Sequence, residues 1–482
     1  MIEQFDKKSG ERDVAAVSPT PELEGGATAG SADPHLEECA RQVDPTDGEP
    51  DSERAVSACQ RAVERFPSSA DAKYLLARAF ESAQNQTEAI NWYRSAAELG
   101  HADAQNRLGL KYDVGEDVSA DDVEAVRWYQ KAADQNLPVA QYNLGLMYEN
   151  GEGVPQSDSE ALKWIRMSAE HGFASAQDKL GDIYSAGDGI EVDYEEAVKW
   201  YRLAAEQGNA EGQNALGLSY DYGRGVQLDD VEAVRFYRLA ADQSLAAARY
   251  NLALMYDAGE GVAENDEEAV KWYRLAADQG YAAAQHNLAR KYDDGEGVGT
   301  DDAEAVKWYR LAADQGYAAA QNMLALHYDS GDGIEPDDAE AVKWYRFAAE
   351  QDYPSAQYNL GLMYEYGEGV ERDKQEACRW TRSAAELGHG EATWKTAGMY
   401  ADGRCGLERS AKLAGETSLK ALSLQSSEAR GELIDQRGRG LAADVRREIQ
   451  RALTTDGAYS GAIDGVFGTG TLSALDRFAG GG

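Results

Sequence analysis

The amino-acid sequence predicts an all-α fold: an α-solenoid of about ten helix-turn-helix repeats, followed by a small C-terminal three-helix module. Three features recur with the same 36-residue period: an aromatic residue that is nearly always tryptophan, a tyrosine, and a Gly-x-Gly loop. A fixed period of this length is the sequence signature of a repeat architecture. The three coincident registers therefore predict stacked, similar units. The aromatic positions are Trp92, Trp128, Trp164, Trp200, Phe236, Trp272, Trp308, Trp344 and Trp380.

Each 36-residue unit has the pattern of two helices. Between Val139 and Glu149, apolar residues recur at three- and four-residue steps, which predicts a helix with one buried stripe. The Gly-x-Gly loop ends that helix, and an aspartate such as Asp301 then stands where the N-cap of the next helix belongs. The second helix, for example over residues 267–279, carries alanines and a tyrosine on one face, so its tryptophan is expected to pack in the interior.

The repeat pattern resembles that of a known family, the Sel-1-like repeats (SLR), which are relatives of the tetratricopeptide helix pair. The resemblance covers roughly residues 68–402. It implies an α-solenoid that binds partner proteins. Secreted cysteine-rich members of that family carry a disulfide in each repeat, and this chain lacks those cysteines. The matching residues of one unit are Leu144, Gly145, Tyr148, Gly151, Gly153, Val154, Ala161, Trp164, Ala169 and Gly172.

A longer period of 108 residues lies inside the short one. The glycine that closes the second helix is replaced on every third unit, by Asn136, Ser244 and Asp352. We infer that a block of three repeats was duplicated. These three residues are expected to adopt the left-handed backbone angles that glycine tolerates better.

The charge and the distribution of apolar residues exclude several classes of function. The chain has 482 residues, and its 86 acidic and 47 basic residues give a net charge of −39. Such a surface repels phosphates, which argues against a nucleic-acid partner and against docking on anionic lipid. No apolar run is long enough for a membrane-spanning helix. The first 14 residues lack the apolar core of a secretory signal, which favours the cytoplasm.

The four cysteines, Cys39, Cys59, Cys378 and Cys405, show no pair spacing. The sequence therefore predicts neither a disulfide framework nor a thiolate metal site, and we expect the thiols to be reduced. Motifs for catalysis, nucleotide binding or calcium binding were not found. We expect no enzyme activity, no cofactor and no metal site.

The ends of the chain depart from the repeat. Residues 1–50 are acidic and proline-rich, which predicts disorder. Residues 51–402 form the predicted solenoid, in which 51–101 is a looser capping repeat. Residues 403–440 are predicted to be a helical cap and linker, and residues 441–482 to be a second module.

The second module carries the motif Gly-x-Tyr-Ser-Gly-x-Ile-Asp-Gly-x-Phe-Gly followed by a helix that opens with threonine. This is similar to the small peptidoglycan-binding domain, and the resemblance implies glycan binding and attachment to the cell envelope. Alternatively, Asp464 and Thr471 simply cap a turn and a helix, with Phe467 in a small core. The candidate glycan-binding residues are Tyr459, Asp464, Gly465, Phe467, Gly468 and Thr471.

The predicted protein-binding groove lies on the first helices, which line the concave face of such solenoids. Repeated aromatic residues there are typical of protein-recognition anchors, and an adjoining acidic row steers a basic segment of a partner. The alternative is that both rows are merely solvated, as is expected for His286 and His327. The candidate residues are Asn106, Tyr142, Asn214, Tyr250, His286, Asn322, Tyr358, Asp257, Asp293 and Asp329.

Two functions from different classes remain open. The first is a non-catalytic scaffold of a bacterial cell that recruits a protein through the solenoid and is tethered to the envelope by its tail. The second is a soluble cytoplasmic regulatory adaptor whose tail is degenerate. An accessory role in cell-wall hydrolysis, or an enzyme, is a remote third.

Overall fold

The computed structural model describes residues 33–44 and 51–480, and every regular element in this part of the chain is helical. The predicted all-α fold of repeating helix pairs is confirmed. The chain divides into two compact units, Met1–Leu245 and Ala246–Gly482. No helix in the described ranges combines the length and the apolar character that crossing a bilayer demands.

The first unit contains twelve helices in its described residues, and consecutive helices pack as antiparallel neighbours. They are α1 (Pro34–Val43), α2 (Ser52–Arg65), α3 (Ala70–Ser82), α4 (Gln86–Glu98), α5 (Ala102–Val114), α6 (Asp122–Ala133), α7 (Pro138–Asn150), α8 (Asp158–Glu170), α9 (Ala174–Ala186), α10 (Tyr194–Glu206), α11 (Ala210–Tyr222) and α12 (Asp230–Asp242).

The second unit continues the alternation and then departs from it after α22. Its helices are α13 (Ala246–Ala258), α14 (Asp266–Ala277), α15 (Ala282–Asp294), α16 (Asp302–Asp314), α17 (Ala318–Ser330), α18 (Asp338–Ala349), α19 (Pro354–Tyr366), α20 (Lys374–Glu386), α21 (Gly390–Asp402), α22 (Ala411–Ser423), α23 (Ser427–Arg430), α24 (Ala443–Thr455) and α25 (Thr469–Ala479). A π-helical turn over Gly431–Asp435 follows α23.

The predicted helix ends are confirmed at α15 and α16. Gly295 ends α15 with a left-handed φ of 72°, and Asp301 caps α16, where its side chain accepts a hydrogen bond of 3.0 Å from the backbone N–H of Glu304. The second glycine of the loop, Gly297, is required for another reason. A Cβ atom there would collide with the backbone of Asp266, at the start of α14. The Gly-x-Gly loop thus both ends a helix and lets it approach the preceding repeat closely.

The core of each unit is built mainly from alanines and from the tyrosines of the second helices. Tyr237, Tyr273 and Tyr309 are fully buried, whereas the first-helix tyrosines Tyr148 and Tyr256 are half-buried. The tryptophans pack in the interior, as predicted. The second-helix tyrosines, rather than the first-helix tyrosines, therefore contribute most to the packing between helices.

The expected strain at every third junction is confirmed. Asn136, Ser244 and Asp352 have φ angles of 63°, 73° and 60°, in the left-handed region, at the positions where other repeats place glycine. A side chain in this conformation costs about 1–2 kcal/mol relative to the ordinary helical region, somewhat less for asparagine and aspartate.

The N-terminal prediction of disorder is wrong for residues 34–43, and the rest of that segment lies mostly outside the described residues. Helix α1 begins at a cap formed by Asp33, whose carboxylate accepts from the N–H of His35. It packs against α2 through a disulfide between Cys39 and Cys59, both of which are buried. The packed cystine and the capped end explain why a charged, proline-rich segment folds here.

The prediction that the cysteines are reduced is also wrong in the described structure. Besides Cys39–Cys59, a disulfide joins Cys378 of α20 to Cys405 in the loop after α21. The two bridges span 20 and 27 residues. Both connect residues that meet only through the tertiary fold, so no short spacing in the sequence reveals the pairs.

The predicted linker at residues 403–440 is a packed part of the C-terminal core. Leu419 and Leu422 of α22 share one apolar cluster with Ile449 of α24, Phe467 and Leu475 of α25. Residues 441–480 contribute only two helices to it. The C-terminal region therefore folds as one body with α22, and the expected boundary at residue 440 runs through its core.

Candidate functional site

The predicted groove residues of the second unit lie on one side of the first helices α13, α15, α17 and α19. Tyr250, His286 and Tyr358 are half-buried, and Asn322 is buried at 5 % exposure. Each aromatic ring contacts the ring at the N-cap of the next first helix: the ring centre of Tyr250 lies 5.2 Å from that of Tyr281, and His286 lies 5.4 Å from Tyr317. The row thus connects consecutive first helices, and its aromatic side chains remain partly exposed to solvent.

The first unit repeats this arrangement at Asn106, Tyr142 and Asn214. Tyr142 is half-buried, and its ring centre lies 5.4 Å from that of Phe173 at the N-cap of α9. Asn106 is 5 % exposed and accepts a hydrogen bond of 3.1 Å from the side chain of Asn143. Asn106 and Asn322 are therefore positioned for contacts between repeats, and the expectation that they are exposed is wrong.

Exposed leucines lie one helical turn after this row and were missed by the sequence reasoning. Leu254 on α13 is 37 % exposed and Leu326 on α17 is 36 % exposed, and each stands four residues after Tyr250 or Asn322. Residues four apart share one helix face. A period-36 comparison at that position would have found leucine at 110, 146, 218, 254, 326 and 362.

The predicted acidic row is tied to the core. The buried hydroxyl of Tyr273 donates to Asp257 over 3.0 Å, and that of Tyr309 donates to Asp293 over 2.8 Å. Burial and the nearby carboxylate both raise the pKa of each of these phenols well above its usual value. The acidic row therefore satisfies buried hydroxyls, a role that solvation alone does not describe.

Asp329 is the most exposed of the three predicted acidic residues. Partial burial, together with repulsion from Asp338, raises the pKa of Asp329, while a hydrogen bond from Tyr345 opposes that rise. Because its side chain remains open to solvent, Asp329 is the acidic position best able to meet a charged partner.

A buried lysine fills the one group of three acidic side chains that lie close enough, among the described residues, to hold a metal ion. Carboxylate oxygens of Asp257, Asp266 and Glu296 lie within 4.8 Å of one another. The ammonium of Lys291, whose side chain is 7 % exposed, contacts Asp257, lies 2.8 Å from Asp266 and lies 2.7 Å from Glu296. The cation of this site is supplied by the chain itself.

His286 and His327, expected to be solvated, instead flank the buried ring of Tyr309 at 5.5 Å each. His327 is 6 % exposed, with Nδ1 2.9 Å from the carbonyl of Asp332 and Nε2 3.2 Å from Asp293. Only the protonated ring donates to both acceptors. Burial by itself lowers the pKa of His327, but these hydrogen bonds raise it overall.

His286 has the opposite electrostatics. Burial, aided by the positive charge of Arg290, lowers its pKa to about 4. Its Nδ1 atom has no hydrogen-bond partner among the described residues. The ring is therefore neutral at pH 7 and acts as an uncharged member of the aromatic row.

The candidate glycan-binding residues are largely used by the C-terminal core. Phe467 is 3 % exposed and Thr471 is 1 % exposed. The buried side chain of Gln450 lies 3.2 Å from Asp464 and 3.3 Å from Thr471, and its oxygen accepts from the N–H of Gly465. Gly468 precedes α25 in extended backbone. Of the six candidates, half-buried Tyr459 and the exposed Asp464 and Gly468 remain open to solvent.

Stacked helix pairs with a 36-residue register, capped by aspartate and closed by left-handed glycines, define the chain as an SLR-type α-helical repeat protein. The Sel1 repeat family matches residues 70–101, 102–137, 138–173, 174–209, 210–245, 246–281, 282–317, 318–353 and 354–389. These nine repeats span more than half of the sequence. The chain belongs to the Sel1 repeat family, whose members mediate protein–protein interactions.

A solved structure agrees with this assignment. A protective antigen present in uropathogenic Escherichia coli strains, with an SLR fold, is 29 % identical over 92 % of this chain and 94 % of its own, with a TM-score of 0.71. A Sel1 repeat protein from Oxalobacter formigenes is 37 % identical over 50 % of this chain and 98 % of its own, with a TM-score of 0.47. No match was found among curated proteins. The SLR fold is typically a non-enzymatic scaffold.

Proposed function

We propose that the chain is a non-catalytic scaffold that binds a partner protein on the first helices of its second unit. The observation that carries the proposal is the row of partly exposed leucines, Leu254 and Leu326, beside the half-buried rings of Tyr250 and Tyr358. We call these four residues, with Asp329, the first-helix face. Apolar side chains held open at a regular spacing favour contact with another protein.

The first-helix face also has the electrostatics for a partner with a basic segment. Asp329 is exposed, and the chain as a whole carries a net charge of −39. An acidic surface raises the rate at which a basic partner arrives, and buried aromatic contacts then hold it. The carboxylates of Asp257 and Asp293 accept hydrogen bonds from the hydroxyls of buried tyrosines. These hydrogen bonds fix their orientation, so they contribute pre-organised negative charge.

A paired set of variants tests the first-helix face. Replacing Leu254 and Leu326 with serine removes its exposed apolar groups at little cost to folding. The matched control replaces Leu311 and Phe347, which are 48 % and 43 % exposed on the second helices of the same unit. Quantitative affinity capture from native cells identifies proteins bound by the unaltered chain, and their affinities are then measured with both variants.

We expect the first-helix variant to bind a captured partner at least tenfold more weakly than the unaltered chain does. The control variant should bind it with unchanged affinity. Replacing Tyr250 and Tyr358 together with alanine is expected to abolish binding. A partner that loses affinity only in the control variant would place the binding surface on the second helices and contradict the proposal.

We further propose that the protein works outside the cytoplasm, at the cell envelope. The pairing of all four cysteines supports this, because structural disulfides persist mainly in oxidising compartments. The 29 % identical relative is a protective antigen, a property that suits a protein accessible to antibodies. Alkylation of free thiols in intact native cells is the test: resistance of all four cysteines until a reductant is added is expected, whereas prompt labelling indicates the cytoplasmic alternative.

The envelope proposal includes peptidoglycan as a ligand of residues 441–482. Tyr459 is half-buried, and the neighbouring apolar side chains of Ile463 and Val466 are 39 % and 64 % exposed. An aromatic ring with exposed apolar neighbours suits stacking against a sugar. We expect the full chain to sediment with purified sacculi, and Tyr459→Ala with Val466→Ser to reduce the sedimenting fraction. A chain that stays in the supernatant fits the soluble adaptor with a degenerate tail.

A further inference from the structure

A large cavity lies in the second unit where the regular repeats give way to the C-terminal core. Its volume is about 1040 Å³, and its walls come from α20, α21, α22 and the loop that holds Cys405. Small-molecule sites in proteins commonly have volumes of about 300–1000 Å³. The cavity is therefore large enough for an organic ligand. None of the residues of the first-helix face lines it, although Lys395 of its wall lies 5.7 Å from the ring centre of Tyr358.

Positive charge predominates on the walls of this cavity, although the chain is strongly acidic. Two glutamates, Glu365 and Glu428, also line it. In the whole chain acidic residues outnumber basic ones by 86 to 47. The cavity reverses that balance locally. The six basic residues that line it are Arg372, Lys374, Arg379, Arg382, Lys395 and Arg404.

Three of these cations are neutralised by nearby carboxylates. Lys395 pairs with Glu365 at 2.8 Å, Arg379 with Glu376 at 3.3 Å, and Arg404 with Asp402 at 2.8 Å. The side chain of Arg382 forms neither an ion pair nor a hydrogen bond with any described residue, although it is half-buried. Its guanidinium nitrogens reach solvent, so its five N–H groups are available to the oxygen atoms of a ligand.

The repeat register shows what is unusual about Arg382. Six arginines at the equivalent position of other repeats donate to the hydroxyl of the tyrosine 18 residues later, as Arg346 does to Tyr364 over 2.7 Å. The residue 18 positions after Arg382 is Tyr400, which packs against the C-terminal core and makes no hydrogen bond with it. The other five arginines are Arg94, Arg166, Arg202, Arg274 and Arg310.

A covalent bridge and an apolar floor complete the cavity. The Cys378–Cys405 disulfide lines it and fastens the loop that carries Arg404 to α20. Trp394, Met399, Leu441 and Val445 supply apolar and aromatic surface on the other walls. The cavity thus combines apolar and aromatic surface with charged groups, as ligand pockets do.

We propose that this cavity binds a small organic oxyanion, namely a carboxylate or a phosphate monoester attached to an apolar or aromatic body. Arg382 supplies the fork that receives two oxygen atoms of the anionic group, since guanidinium geometry matches carboxylate and phosphate. Arg372 and Lys374 add positive charge at the wall. Trp394 and Met399 contact the apolar body of the ligand.

Calorimetric titration of the full chain at low ionic strength tests the proposal with four probes. Phenyl phosphate and phenylacetate carry both an anionic group and an aromatic body. Inorganic phosphate lacks the body, and benzylamine reverses the charge. We expect saturable binding of at least one aromatic anion, at least tenfold weaker binding of inorganic phosphate, and no binding of benzylamine.

Arg382→Gln is expected to weaken the binding of the aromatic anion at least tenfold. The substitution removes a guanidinium whose N–H groups bond to no described residue and are available to the ligand. Lys343→Gln is the matched control, since it removes one positive charge from the surface of the same unit, away from the cavity. Circular dichroism verifies that both variants are folded.

Three results would overturn the proposal: no saturable binding of either aromatic anion, equal weakening by Lys343→Gln and Arg382→Gln, or inorganic phosphate binding as tightly as phenyl phosphate. None of these results bears on the first-helix face, which is tested with different variants and a different ligand.

Discussion

Residues 102–373 and residues 374–480 are built from the same kind of helix, but they use equivalent positions differently. In most of the regular repeats an arginine of the second helix donates to a tyrosine hydroxyl 18 residues later, and the N-cap of the second helix is most often an aspartate. At the C-terminal end, Arg382 lacks that bond and Tyr400 joins a different core. The comparison indicates that side chains which pair within the regular repeats become available for other contacts where the 36-residue pattern ends.

The largest effect is expected at Tyr273, which tests how the regular repeats are held together. Its ring is fully buried and its hydroxyl donates to Asp257. Tyr273→Ala should lower the free energy of local unfolding by about 3–5 kcal/mol, the range for large core aromatics. Hydrogen exchange of the amides in α13–α16 is the measurement.

Two controls sharpen this prediction. Tyr273→Phe keeps the ring and removes only the hydroxyl, so about 1 kcal/mol is expected. Tyr366→Ala alters a residue that is 61 % exposed and should change exchange very little. Equal effects of the three variants would show that the buried second-helix tyrosines are not the principal packing residues.

The next effect concerns pH and His286. The folded state holds the pKa of His286 at about 4, below the ordinary 6.5, so the unfolded chain binds a proton more readily between these values. The contribution of His286 to the free energy of unfolding is therefore fully present above pH 6.5. It falls by up to about 3 kcal/mol as the pH drops towards 4. Urea unfolding at a series of pH values measures this loss.

His286→Tyr provides the matched comparison, because Tyr250 and Tyr358 occupy the same register in other repeats. The variant should remove this acid-sensitive contribution. His327 has the opposite sign: its raised folded pKa stabilises the protein at pH values below 6.5, and that contribution is lost as the pH rises through the folded pKa. An unchanged acid slope in His286→Tyr would contradict the assignment.

A variant of Lys291 tests how much the cluster of one ammonium and three carboxylates contributes to stability. At the equivalent position Met255 and Met363 are buried, so methionine fits the space. Lys291→Met leaves three neighbouring carboxylates without their ammonium, and we expect a loss of about 2 kcal/mol at low salt that shrinks in 1 M NaCl. Lys271→Met, which breaks only an exposed pair with Glu268, should cost less than about 1 kcal/mol.

The smallest effect is expected at the junction after α18. Asp352 adopts a φ of 60° where neighbouring repeats place glycine. Asp352→Gly should raise stability by about 0.5–1 kcal/mol, and the reciprocal change Gly316→Asp, at a φ of 91°, should lower it by about 1 kcal/mol. Thermal unfolding of both variants tests the pair, and shifts of the same sign would be inconsistent with backbone strain.

The same comparison explains what the sequence could predict. Helix caps such as Asp301, the interior tryptophans and the strained Asn136 follow from local chemistry repeated at one period, and all were predicted. The disulfide Cys378–Cys405, the core shared by Leu419 and Phe467, and the unpaired Arg382 depend on contacts between elements that break the period. No local pattern encodes such contacts.

The candidate site shows the same division. Periodicity located the row of Tyr250 and Tyr358 correctly on the first helices, but it gave no measure of exposure. Asn322 is consequently buried where an exposed residue was expected, and the exposed Leu254 was missed. Exposure depends on how far the next repeat covers each side chain, which requires the packed structure.

Hydrogen exchange on the full chain carrying Phe467→Ala tests most directly whether residues 403–480 form one body joined to the last repeat. Phe467 shares a buried cluster with Leu419 and Leu422 of α22. We therefore predict that amides in α22 and α24 lose protection together, while those in α7 and α8 keep theirs. Loss of protection confined to residues 441–480, with α22 unchanged, would contradict the account and restore an independent tail module.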